Sequence, residues 1–210
     1  MNYYHVRTNP GLELILAAEL RALLADAARS GTEVTPRPAG RAGWAAVSTV
    51  SVGASPVGAA RSPTSLPYAA GTPAPTAIPA ETFARLRTAY EVIRVTAMIT
   101  LQQLTDHDEK TVVAALRATV SDALLPEIGP GMTFAARCLR HGTHAVQSPT
   151  IEREAGTIIG RRTGAAVNLT APDVIVRVDL SETLLVIGEV VGAQALDRRF
   201  EWIYRPRITL

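Results

Sequence analysis

The stretch Arg137–Gly164, RCLRHGTHAVQSPTIEREAGTIIGRRTG, sets arginines and histidines around Gly142 and then opens into a helical pattern. Before it, Met132–Leu139 (MTFAARCL) reads as a strand. After the turn, Ser148-Pro149 gives a capping residue followed by proline at the first helical position. Ile151, Ala155, Ile158 and Ile159 then recur on one helical face, and Gly164 is placed to end the helix. Downstream, Asp173–Leu180 (DVIVRVDL) and Thr183–Val191 (TLLVIGEVV) read as two strands joined by a short Ser-Glu turn. Upstream, Asp106–Leu125 reads as a helix with Asp106 and Glu109 as a capping pair and Val112, Val113, Leu116, Val120 and Leu124 inward. The second half of the chain is therefore α-β-α-β-β.

What that first stretch does chemically is open on spacing alone. A nucleophilic site would need Cys138 or Ser148 fixed against a histidine, but Cys138 is centred in a strand and Ser148 is placed to cap a helix. A zinc site would need three or four ligands, and Cys138, His141 and His144 on a strand and its loop point in different directions. The third reading is an anion surface, because the unpaired N–H groups at a helix N-terminus favour negative charge. Arg137, Arg140, His141 and His144 approach that terminus, and Arg161 and Arg162 end the same helix. Glu152 and Glu154 keep open a plain solvated helix after a structural Gly142 turn.

Working towards the N-terminus, Tyr3–Thr8 (YYHVRT) is strand-forming, and Asn9-Pro10 repeats the cap-then-proline start. Leu12, Ile15, Leu16, Leu20, Leu23 and Leu24 fall on one helical stripe, with Gly31 as a stop. Gly43–Thr49 (GWAAVST) reads as a strand. From Ser51 to Ala80 the chain is Pro, Ala, Ser, Thr and Gly with almost no large apolar residues. It reads as a flexible insertion near which a further short strand can hide, since it cannot bury enough surface to offset its ordering entropy. Glu81–Ile93 then reads as a helix with Phe83, Leu86, Tyr90 and Ile93 on its stripe, and Arg94–Leu101 as a strand. The order β-α-β, insertion, α-β suits a ferredoxin-type α+β sandwich.

Composition narrows the class. Apolar residues make up 47% of the 210, enough for a buried core. The single cysteine excludes an internal disulfide and a multi-cysteine zinc site. The N-terminus has no apolar signal-peptide core and no stretch approaches the roughly 20 apolar residues of a membrane helix, so a cytoplasmic setting without membrane contact is expected. Net charge is only +2, but every basic residue except Lys110 is arginine. Arginine is the better bidentate phosphate binder, although a GC-rich genome gives the same bias.

Arg137-x-x-Arg140-x-Gly142-x-His144-x-x-Ser148-x-x-Ile151, followed by GTIIGRRTGAAVNLTAPDVIVRVDL, resembles the central motif, helix and strand of the THUMP domain of RNA-modifying enzymes. Val146 and Asn168 stand where the family commonly has Phe and Asp. TNPGLELILAAEL and LRTAYEVI are similar to the ferredoxin-like domain that precedes THUMP in RNA guanine-N2 methyltransferases. The resemblance implies an α+β chain with a ferredoxin-like domain over residues 1–104, a Pro/Ala-rich insertion at about 51–80, and a THUMP domain over 105–195. Residues 196–210, with Arg198, Arg199, Arg205 and Arg207, would be a linker or basic tail. It also implies binding of structured RNA, tRNA or rRNA, through Arg137, Arg140, His144, Arg161 and Arg162. A methyltransferase domain or separate subunit would supply the chemistry. No glycine-rich S-adenosylmethionine loop and no NPPY-like or DPPY-like segment occurs in the 210 residues. No catalytic residue, metal or cofactor is therefore expected in them. A free-standing adaptor for another RNA-modifying enzyme and an assembly module without RNA are the competing expectations.

Overall fold

The structure, a computed structural model, describes residues 3–9, 11–26, 34–37, 49–52, 78–100, 109–122, 125, 127–142, 144–181 and 184–193. In chain order these give β1 (Tyr3–Thr8), α1 (Glu13–Asp26), β2 (Val34–Arg37), β3 (Thr49–Val52), α2 (Ala80–Ala84) and β4 (Ala89–Thr100). Then follow α3 (Glu109–Asp122), β5 (Thr133–Arg140), α4 (Ser148–Thr163), β6 (Ala166–Val167), β7 (Val174–Leu180) and β8 (Leu184–Ala193). Among the described residues all eight strands join one sheet in the order β2-β3-β1-β4-β8-β7-β5-β6.

The first four strands are antiparallel neighbours throughout. A β-α-β-β-α-β chain with β1 between β3 and β4 is the ferredoxin-like arrangement. In the second half β5 runs parallel to β7 across the α4 crossover, and β7 turns back antiparallel into β8. The halves are stitched by β4 and β8, which pair from Glu91↔Ala193 to Thr100↔Leu184. The boundary expected near Gln102–Thr105 lies outside the described residues, and the sheet itself runs across from one half to the other.

Each half has its own apolar core. Tyr4, Val6, Leu16, Leu20, Leu24, Phe83 and Val92 build the first, with the Tyr4 and Phe83 rings 5.0 Å apart. The chain returning from the insertion is pinned there, since Ile78 N donates to the Tyr4 hydroxyl at 3.1 Å. The second core packs Leu116, Val120, Ile151, Ala155 and Ile159 of α3 and α4 on Phe134, Val176, Val178 and Ile187. Burying a side chain of this size contributes about 1.5–3 kcal/mol.

Several local expectations change. Residues 81–93 are not one helix: α2 stops at Ala84, and Ala89 begins a twelve-residue strand. Val92, Ile93, Val95 and Thr96 are β-branched, and pairing with β1 on one edge and β8 on the other decides the conformation. Helix α1 starts at Glu13 and not at Pro10. Gly11 has φ 90°, so the chain first makes a turn, closed by Leu12 N to Asn9 O at 3.1 Å. Ile15, expected inward, is 52% exposed, whereas Ala17 is buried. The strand expected at Gly43–Thr49 lies outside the described residues except for Thr49, where β3 begins; β3 runs through Ser51 to Val52. β2 had no distinct signal of its own. Helix α3 is described over Glu109–Asp122, and Leu125, expected inside the helix, lies outside it and is buried.

Gly188 shows how tightly β8 meets β4. A Cβ there would run into Arg94 O and lie 2.5 Å from Ile93 Cγ2. Register shifts flank this point, between Val92 and Ile93 and between Val95 and Ala97. Such bulges bend a strand and increase its twist.

Candidate nucleic-acid interface

Strand β5 delivers Arg137 and Arg140 to opposite faces. Phe134, Ala136 and Cys138 face the helices, so alternation places Arg137 on the other face and Arg140 beside α4. Arg137 Nη2 donates to Leu169 O. Arg140 is half-buried: its Nε donates to Ser148 Oγ at 3.1 Å, and Nη1 donates to His144 O at 3.3 Å and Val146 O at 2.9 Å. Its Nη2 reaches Gln147 Oε1 at 3.4 Å. One guanidinium thus gathers the loop and the first residue of α4.

His144 is buried, with Nε2 2.9 Å from His141 O. Gly142, at φ 90°, makes the turn between them. Helix α4 is capped by Gln147 and not by Ser148, and Gln147 makes no side-chain capping bond. Ser148 is occupied by Arg140 instead. Pro149 stands in the first turn, which holds no acidic residue. Thr150 N and Ile151 N donate to Gln147 O at 3.0 and 3.2 Å, and Pro149 has no N–H, so the first turn offers an anion chiefly its positive dipole end. Gly164, at φ 73°, closes the far end as expected.

Arg161 and Arg162 occupy that far end, both exposed. At about 1.5 Å per residue they lie roughly 20 Å from Ser148. The structure accordingly brings Arg140, His144 and Ser148 together but not Arg137, Arg161 and Arg162 with them. Arg162 Nη1 also donates to Val120 O at 2.9 Å, tying α4 to α3. Arg198, Arg199, Arg205 and Arg207 lie outside the described residues.

Burial pushes the Cys138 thiol up to about 12, against a smaller opposing effect of the Ser148 hydrogen bond. A thiol held protonated is a poor nucleophile. Among the described residues no group of three or more His, Cys, Asp or Glu is placed to hold a metal ion. No described helix is long and apolar enough to cross a membrane.

A set of charged residues inside the sheet went unrecognised in the sequence. Tyr4 and Val6 face the first core, so Arg7 points to the opposite side of β1; Val176, Val178 and Leu180 face the second, so Arg177 and Asp179 point to the opposite side of β7. There Arg7 donates to Glu91 and to Asp179, and Arg177 donates to the other oxygen of Glu91. Arg7 is only 2% exposed. A second pair, Arg94 and Glu189, joins β4 to β8 and is extended by Glu127 at 3.0 Å. The available signal was a charge interrupting each β-branched run: YYHVRT, YEVIRV and VIVRVDL.

The chain thus combines a ferredoxin-like half with an α-β-α-β-β half whose β5–α4 loop is braced by Arg140. Residues 107–188 match the THUMP domain, and the chain carries that domain there. It is 36% identical over 87 residues to the tRNA (guanine(10)-N2)-dimethyltransferase of Methanocaldococcus jannaschii, covering 40% of this chain and 24% of that protein. It is 41% identical over 59 residues to the tRNA sulfurtransferase of Azotobacter vinelandii, covering 28% of this chain and 12% of that protein. Among solved structures, TrmN from Thermus thermophilus superposes with a TM-score of 0.62 at 25% identity, over 95% of this chain and 48% of that one. The chain spans less than half the length of each of these relatives.

Proposed function

We propose that this chain recognises structured RNA, tRNA first, as the substrate-binding portion of a guanine-N2 methyltransferase. The observation that carries the reading is the superposition of both halves, 95% of the chain, on TrmN. The similarity to a tRNA (guanine(10)-N2)-dimethyltransferase and the arginines of α4 support it. In this reading Arg137, the positive dipole end of α4, Arg161 and Arg162 meet phosphates, while Arg140 and His144 shape the loop from inside. The methyl transfer is the work of a domain or subunit with its own cofactor site. The sulfurtransferase relative supports a broader second reading, in which the module serves as an adaptor for a different tRNA-modifying chemistry.

The test is binding of a tRNA transcript and an rRNA fragment across a salt series. Neutralising phosphates with arginine releases counterions; about four to six contacts give a log–log slope of roughly −3 to −5. Shape and backbone dominate recognition of folded RNA, so the tRNA should outcompete single-stranded RNA of the same length. Unchanged affinity in a folded Arg137/Arg161/Arg162 triple alanine variant places the RNA surface elsewhere. No binding of either RNA at low salt favours an assembly module.

A further inference from the structure

We propose that Arg7, a buried residue of the ferredoxin-like half, is a positioning residue for RNA binding that acts through Asp179 on the loop around His141 and His144. The proposal rests on the RNA-binding reading above and names how that surface is held in place.

In the sheet order, β1 and β7 are separated by β4 and β8. Three strand spacings are about 14 Å, and the registers offset Arg7 and Asp179 along the strands as well. Arg7 is opposite Glu91, whereas Asp179 is opposite Val186, which is opposite Met98. Arg7 nevertheless donates to Asp179. The sheet must therefore curl about the β4–β8 seam until the helix-free faces of β1 and β7 meet. The two bulges and the close approach at Gly188 supply that bend. Arg7 is the rivet across it, with Nη1 on Glu91 and Nη2 on Asp179.

Asp179 is next to the loop's anchor. Its strand partner is Leu139, and that of Leu180 is Arg140. Leu180 O then accepts from His141 N at 2.8 Å, the first bond beyond the strand. His141 O meets the His144 ring, and Arg140 holds the carbonyls of His144 and Val146. Arg7 thus grips the end of β7 to which the β5–α4 loop is hydrogen-bonded. Burial keeps the grip firm, because a charge left without its partner there has no water to replace it. Arg7 itself, 2% exposed, has no route to RNA.

The four charges Arg7, Glu91, Arg177 and Asp179 balance, and so do Glu91 and Arg177 alone. This makes Arg7→Gln, Asp179→Asn and the double variant a clean set in the full chain. Two measurements are needed: tRNA affinity, and amide hydrogen exchange at His141 with α3 amides as the local control. Each single variant is expected to weaken tRNA binding by about 3- to 30-fold and to speed exchange at His141 while α3 stays protected. The double variant is expected to bind no more weakly than either single, because the two changes break the same link. A folded Asp179→Asn variant with wild-type affinity and wild-type exchange overturns the proposal. If Arg7→Gln alone does not fold, Asp179→Asn and the double variant still decide it. Absence of tRNA binding by the unaltered chain defeats the RNA-binding reading itself, and exchange at His141 then separately decides whether Arg7 holds the loop.

Discussion

Arg7 and Arg161 carry the same guanidinium into opposite surroundings. Arg7 sits where two helix-free faces of the sheet meet, 2% exposed and fixed by two carboxylates. Arg161 stands in the last turn of α4, exposed to water. Desolvation makes the partner of a buried charge costly to remove, while exposed charges act mainly through long-range attraction screened by salt. The inner arginines of the chain therefore hold shape, and the outer ones are available to a partner. Arg140 stands between these extremes, half-buried with three bonds to one loop and a fourth to the first residue of α4.

The comparison breaks first at Arg7. Arg7→Ala should cost about 3–5 kcal/mol of stability, because Asp179 and Glu91 lose their shared cation. Chemical denaturation measures it, and a loss below 1 kcal/mol would put Arg7 with the surface arginines. Gly188→Ala should follow at about 1–3 kcal/mol, since the added methyl meets the Arg94 carbonyl and must move β4 from β8. Arg140→Ala should cost about 1–3 kcal/mol by freeing buried acceptors in the loop, and should lower tRNA affinity together with stability.

A smaller effect sharpens the contrast at His141. Burial lowers its pKa from 6.5; Asp179 opposes this, and Arg7 and His144 reinforce it. The folded state thus favours neutral imidazole. Its contribution is present above pH 6.5 and is lost as pH falls through the lower folded value. His141→Asn should flatten the decline in thermal midpoint between pH 7 and pH 5; an unaltered decline would assign it to other groups. Arg161→Ala should change stability least, within about 0.5 kcal/mol. Its signature is a salt slope of tRNA binding shallower by about 1.

How much of this was legible in the sequence depends on range. The β5–α4 stretch was read almost to its ends, since Pro149, the apolar period and Gly164 are local signals. The THUMP domain was legible for the same reason, its motif being contiguous. Residues 81–93 misled because Phe83, Leu86 and Ile93 are buried at helical spacing, yet they reach the interior from a short helix, a turn and a strand. Only pairing with β1 and β8 distinguishes the two. At the candidate interface, Arg137, Arg140 and His144 look equivalent in the sequence. Strand alternation and the fold of one loop send them to a far face, an inner brace and a buried ring. The Arg7–Asp179 pair joins the beginning of the chain to its last hairpin, and no local pattern reports such a contact.

The seam between β4 and β8 also governs the order of assembly during synthesis. β4 ends at Thr100, but its partner does not begin until Leu184. The ferredoxin-like half therefore emerges from the ribosome with one edge of its longest strand unpaired, including β-branched Val92, Ile93, Val95 and Ile99. An open edge of that kind is a template for pairing with another chain, and contacts so distant in sequence form slowly. The nascent protein is most exposed to misassembly in the interval before β8 is made. The last hairpin ends that interval by sealing the edge, so the step that completes the THUMP half also completes the half translated before it.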